Sequence, residues 1–168
     1  MADGRRQTAE IELASPNLSS PLSAVLVSIR AMPLVTVTSL SRFNAAHRLH
    51  NPSLSDAENT RLFGKCNNPN WHGHNYTLEV SVAGEPDPVT GYVIDFGLMK
   101  DIVEREYVDL VDHKNFNLDV PFMTGTNPTA ENIVVACWRR LEPALRPARL
   151  TRLRLWETDN QFVDYDGS

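Results

Sequence analysis

His72-Gly73-His74-Asn75-Tyr76-Thr77-Leu78-Glu79-Val80-Ser81-Val82-Ala83 alternates residue by residue. His72, His74, Tyr76, Leu78, Val80 and Val82 share one parity. In an extended chain one parity is one face. The stretch therefore predicts a strand from about His72 to Ala83, with one apolar face headed by two imidazoles. Gly73, between the histidines, lets the backbone pass close to a neighbour or permits a bulge.

Upstream, Leu34 to Ser41 is rich in Val, Thr and Leu and predicts a strand running toward His47. Residues 51–65 are polar and read as irregular. Downstream, Gly84-Glu85-Pro86-Asp87-Pro88-Val89-Thr90-Gly91 is a turn, so Tyr92–Asp95 is expected to return as a hairpin strand. Asp95 is a good N-cap for a helix whose apolar face is Met99, Ile102, Val103, Tyr107 and Leu110. That helix ends near Val111, and Asp112 to Asn117 follows as a loop. A second helix is expected with Asn127 as cap and Pro128 at its first position. Its buried stripe is Ile133, Val134, Cys137, Trp138 and Leu141, and Pro143 ends it. The last strands are about Leu150–Thr158 and Gln161–Tyr165. In the first of these Leu153, Leu155 and Glu157 share a face, and a carboxylate ending an apolar row is costly without a partner. The order predicts an α+β domain with an antiparallel sheet covered by helices.

The chain has 168 residues, 42% of them hydrophobic, which suits a single domain with an ordinary core. Residues 33–168 read as that domain. Residues 1–32 are dominated by Ser, Pro, Ala and charged residues and read as a mobile extension. A net charge of −5 does not favour a nucleic-acid-binding surface. Two cysteines, Cys66 and Cys137, are not a disulfide framework, and reduced thiols in the cytoplasm are the simpler reading. The apolar run Ile133 to Trp138 is too short to span a membrane, and Ala24 to Val27 is too short for a signal-peptide core.

His72 and His74 at i, i+2 on a strand point the same way, and His47 on a neighbouring strand completes a facial set. Three neutral imidazoles leave zinc its full charge and an open fourth position, a Lewis-acid site. The alternative is a pair of satisfied polar residues at a strand end. Cys66 has three readings: a fourth ligand closing the site, an inert buried thiol, or a thiol beside the metal that serves as base or nucleophile. Asp112-His113 is either an oriented imidazole or an ordinary surface pair. His50 reads as surface and Cys137 as core.

The chain resembles the 6-pyruvoyl-tetrahydropterin / 6-carboxy-tetrahydropterin synthase family. The resemblance is carried by Phe43-Asn44-Ala45-Ala46-His47-Arg48-Leu49, by Leu62-Phe63-Gly64-Lys65-Cys66-Asn67-Asn68-Pro69-Asn70 and by His72-Gly73-His74-Asn75-Tyr76. Further on it is carried by Leu110-Val111-Asp112-His113-Lys114-Asn115, Pro128-Thr129-Ala130-Glu131-Asn132 and Glu157-Thr158-Asp159-Asn160. It implies zinc held by His47, His72 and His74, and Cys66 as general base working with Asp112 and His113. It implies that Glu157 anchors the pterin ring and that Thr129 and Glu131 help to line the pocket. The implied substrate is 7,8-dihydroneopterin triphosphate and the implied product 6-pyruvoyl-tetrahydropterin. The family fold is the tunnelling fold: a four-stranded antiparallel sheet with two helices on one face, closed into a barrel by three subunits. Two trimers then stack as a homohexamer with active sites between subunits. Trp71 stands where many animal members have glycine, and Ala130 where relatives often have Thr or Ser. Arg48, Lys65 and Lys114 are candidates for the triphosphate, or solvated surface charges. The 6-carboxy branch, and a structural zinc module closed by Cys66, are the competing readings.

Overall fold

The structure is a computed structural model that describes residues 33–168. The expectation for residues 1–32 lies outside the described residues.

The element that opened the reading is the centre of the sheet. Strand β2 (His72–Gly84) pairs antiparallel with β1 (Val35–His47) on one side and with β4 (Arg149–Thr158) on the other. Strand β5 (Gln161–Tyr165) pairs antiparallel with β4, and the two-residue β3 (Lys114–Asn115) runs parallel to β1. The sheet is five-stranded, ordered β3-β1-β2-β4-β5. It is mixed, not the expected four-stranded antiparallel one, because the loop after the first long helix lays Lys114 and Asn115 along Ala45 and Ala46.

The alternation in β2 works as its parity demands. Tyr76, Leu78, Val80 and Val82 are buried and face Phe43 across β1 and Leu155 and Leu153 across β4. Helices α2 (Phe96–Val103) and α4 (Ala130–Ala144) cover that face, with Met99, Ile102, Val103, Ile133, Val134, Cys137 and Leu141 in one core. The other face carries Thr38, Arg42, Glu79, Arg152 and Arg154. There Arg154 makes two 2.8 Å bonds to Asp164 and lies 3.9 Å from the centre of the Phe162 ring. Gly73 allows close approach rather than a bulge: a Cβ there would meet the Ala45 carbonyl oxygen at 3.0 Å.

Several expectations are corrected. Strand β1 continues through Arg42 to His47. Tyr92–Asp95 is not a strand, since β1 and β4 already occupy both edges of β2. The Tyr92 carbonyl instead accepts from the Asp87 N–H at 2.9 Å, closing the loop. Asp95 caps α2 as expected, accepting from the Leu98 N–H. The helical run then widens into a π turn at Glu104–Val108 before α3 (Asp109–Val111). Arg140 Nε donates to the Glu106 carbonyl in that turn at 2.6 Å, satisfying a group the wider winding frees. Helix α4 is capped by Thr129, not Asn127, and Pro143 lies inside its last turn, where a missing N–H costs one ladder bond. Residues 51–65 contain a helix, α1 (Asp56–Phe63), followed by a 3₁₀ turn at Gly64–Asn67. Its signal was in the sequence: Ser55 and Glu58 form a reciprocal capping box.

Two non-glycine residues have left-handed backbones, Trp71 at φ 60° and His113 at φ 57°. Trp71 thus occupies a conformation that suits glycine, and its indole N–H is buried without a partner among the described residues. The usual order of alanine over glycine should invert here. Trp71→Gly is expected to be more stable than Trp71→Ala by about 1 kcal/mol. Chemical denaturation of the two variants measures it, and a more stable alanine variant would contradict the assigned backbone.

Candidate metal and substrate site

The β1–β2 register places His47 directly opposite His72, and Ala45 opposite His74. Two histidines on one face of β2 and one at the end of β1 therefore converge without any loop having to bring them together. Nε2 of His47 lies 3.0 Å from Nε2 of His72 and 3.1 Å from Nε2 of His74. The ligand atoms all lie within 4.8 Å of one another.

The protonation pattern follows from burial. His47 is 1% exposed, and its Nδ1 donates to the Pro128 carbonyl at 2.8 Å. A proton on Nδ1 leaves the lone pair on Nε2, aimed into the cluster. Burial pushes the His47 imidazole down to about 4, against the Pro128 bond and with help from His72 and His74. Burial and then His74 also lower His72. Neutral imidazoles with nitrogen atoms about 3 Å apart are a poor arrangement alone but a good one around a cation. A tetrahedral zinc with Zn–N bonds of about 2.0–2.1 Å sets its nitrogens roughly 3.3 Å apart. The three histidines fit such an ion. Tyr76 backs them, its ring set at 85° to His47 and 66° to His74.

Cys66 is half-buried in the 3₁₀ turn and is not one of the clustered ligands. It lines a cavity of about 400 Å³ with His47, Thr129, Glu131 and Glu157. The structure so brings together five of the sequence-predicted residues, drawn from β1, the 3₁₀ turn, the start of α4 with its cap, and β4. Glu157 Oε1 lies 3.7 Å from His47 Nε2 and 3.9 Å from His74 Nε2. The carboxylate at the end of the Leu153–Leu155 row thus faces both the cluster and the cavity. Thr129 has a second task, since its hydroxyl caps α4. Gln161, Phe162 and Val163 of β5 complete the wall. Sequence reading missed them, and only their register beside β4 marks them.

Asp112 and His113 are a formed pair, with His113 Nδ1 2.8 Å from Asp112 Oδ2. The Asn44 backbone N–H, 2.7 Å from Asp112 Oδ1, does most to hold that carboxyl below its ordinary value, and His113 adds to it. The His113 N–H donates to the Asn44 carbonyl at 2.7 Å, so both residues are bolted to β1. His113 opens onto another cavity, of about 540 Å³, lined by Asn75, Lys114 and Asp119 among others. The structure does not bring the Asp-His pair into the Cys66 cavity. Arg48 bonds the carbonyl of Asn67 at 3.0 Å. Trp71 lines neither cavity.

Comparison with known proteins agrees with this geometry. The family model described as 6-pyruvoyl tetrahydropterin synthase matches residues 36–168. The human 6-pyruvoyl tetrahydrobiopterin synthase is 46% identical over 125 residues, covering 74% of this chain and 86% of the human protein. The Drosophila melanogaster protein of that name is 40% identical, covering 80% and 81%. The solved structure of Caenorhabditis elegans 6-pyruvoyl tetrahydropterin synthase superposes with a TM-score of 0.77 at 42% identity, covering 82% of this chain and 98% of that one. A family match over nearly the whole described domain, and relatives this similar over most of their length, leave one assignment: the chain is an enzyme belonging to the 6-pyruvoyl tetrahydropterin synthase family.

Proposed function

We propose that the protein is a zinc-dependent lyase that converts 7,8-dihydroneopterin triphosphate to 6-pyruvoyl-tetrahydropterin and triphosphate, in tetrahydrobiopterin biosynthesis in the cytoplasm. The observation that carries this reading is the convergence of three imidazoles, one of which, His47, lines a cavity together with Cys66 and Glu157. The reaction expels triphosphate and oxidises the side chain. The pterin ring takes up the electrons and hydrogens the side chain loses, so no external redox cofactor is required.

His47, His72 and His74 hold the zinc, which when bound supplies Lewis acidity to the substrate side chain. Glu157 accepts the N–H groups of the amino-pyrimidinone edge and so fixes the ring, with Thr129 and Glu131 along the wall. A planar donor pair gives that half-buried carboxylate the partner its position demands. Cys66 takes a proton from the side chain once substrate brings the carbon within reach. Its place outside the histidine cluster supports a base rather than a fourth ligand.

Asp112 orients the His113 imidazole, leaving Nε2 to carry protons to and from substrate or thiol. The cavity that His113 lines, apart from the one shared by Cys66 and Glu157, fits a site completed by a second subunit. The sheet supports that assembly: β1 pairs with β3 only at Ala45 and Ala46, and β5 ends the sheet on the other side. Two edges that are open among the described residues suit closure of sheets from several subunits into a barrel. Three subunits closing one barrel, and two such trimers stacked, form the homohexamer of this reading. Sizing of the purified protein is expected to give a hexamer, and a monomer with full activity would refute the shared site.

Product analysis tests the reaction itself. Zinc-loaded protein given the triphosphate is expected to release triphosphate with 6-pyruvoyl-tetrahydropterin. A 6-carboxy product would move the chain to the deazapurine branch. Cys66→Ala is expected to keep its zinc and fold while turnover falls at least about a hundredfold. Loss of zinc with the thiol would instead make Cys66 a ligand. Chelation is expected to abolish turnover and zinc to restore it, whereas His72→Ala should fail to hold the metal under the same dialysis. Metal content by atomic absorption reads both.

A further inference from the structure

Cys66 lies in a four-residue 3₁₀ turn. Such turns have strained hydrogen-bond geometry and little stability of their own. What holds this one is a set of bonds to the chain immediately after His47. The Leu49 N–H donates to the Cys66 carbonyl at 2.8 Å. Asn67 is 7% exposed, and its Nδ2 donates to the Leu49 carbonyl at 2.7 Å and lies 3.1 Å from His50 Nδ1. Arg48 closes the set, with Nε on the Asn67 carbonyl at 3.0 Å and Nη2 3.4 Å from Asn67 Oδ1. Each residue from Arg48 to His50 thus bonds either Cys66 or its neighbour. The strand side is pinned in turn: Asn117 accepts from the Arg48 N–H at 2.8 Å and donates to the Arg48 carbonyl at 3.0 Å.

We propose that Arg48 and Asn67 are positioning residues that fix the Cys66 thiol relative to the metal-holding histidines. The inference rests on the reading of Cys66 as the base. A proton transfer needs heavy atoms about 2.6–3.2 Å apart, and the path from the turn to His47 is short and hydrogen-bonded along its length. Arg48 directs Nε and Nη2 into the turn. A guanidinium used in this way serves geometry rather than the substrate's phosphates, which separates two roles that sequence alone left open.

Arg48→Met removes the donors and keeps the stem, and Asn67→Ala removes the side-chain bonds. Each zinc-loaded variant is to be assayed for metal content, kcat, KM and the rate of Cys66 alkylation by iodoacetamide. Zinc content is expected to stay at the wild-type level. The value of kcat should fall about ten- to hundredfold, as for a misplacement near 1 Å, with KM little changed. The Cys66 alkylation rate should change in both variants while the buried Cys137 stays unmodified. If Asn67→Ala does not fold, Arg48→Met decides alone. A raised KM with unchanged kcat in Arg48→Met would make Arg48 a substrate contact and overturn the proposal. Wild-type kcat and alkylation in both variants, with Cys66→Ala inactive, would overturn it alone. Turnover surviving in Cys66→Ala would end the reading of the base, and this inference with it.

Discussion

The hydrogen bond from His47 Nδ1 to the Pro128 carbonyl, at 2.8 Å, is the constraint on which the site depends. It joins the end of β1 to the segment entering α4 and decides which nitrogen of a buried ring keeps its lone pair. It also accounts for the start of α4. A carbonyl committed to His47 belongs to a residue outside the helix, so the cap moves on to Thr129. The helix then begins where Thr129 and Glu131 meet the cavity that also holds Cys66 and Glu157. One bond so links the end of the sheet that carries the three histidines to the wall of that cavity.

Around that bond the site is assembled from element ends. His47 ends β1, His72 and His74 begin β2, Glu157 is near the end of β4, and Cys66 lies in the turn after α1. Strands pack rigidly along their length, so their ends are well placed while remaining open to ligand. The turn is the weakest of these supports, and the bonds from Arg48, Leu49 and Asn67 compensate for it. His113 shows the same economy on the other side of β1: its left-handed backbone is held by the bond to Asn44 and by the pairing of β3. A non-glycine residue keeps such a backbone only where its surroundings hold it this firmly.

Much of this was legible in the sequence, for physical reasons. Burial in β2 alternates from Asn75 to Val80, before both faces become covered at Ser81 to Ala83, so the parity of His72 and His74 could be read directly. Glu157 stood out because a carboxylate closing an apolar row needs a partner. What escaped reading depended on pairing over distance. Tyr92–Asp95 has strand composition, yet both edges of β2 were taken by segments far away in sequence. Strand β3 is two residues long and has no periodicity to read. Asn127 was the better cap by composition and lost to Thr129 because tertiary bonds claimed Asn127 and Pro128. Helix α1 alone was open to better reading, through Ser55 and Glu58. The role of Arg48 lay beyond any local pattern, since its partner is Asn67 across a fold of the chain.

The central claim is a zinc site made by three imidazoles with the Cys66 thiol outside the coordination shell. Zinc K-edge X-ray absorption on the loaded protein tests it most directly. The account predicts a first shell of nitrogen and oxygen only, near about 2.0–2.1 Å, without a sulfur scatterer. A sulfur at about 2.3 Å would mean that Cys66 closes the site, and the reading of that thiol as the base would be contradicted.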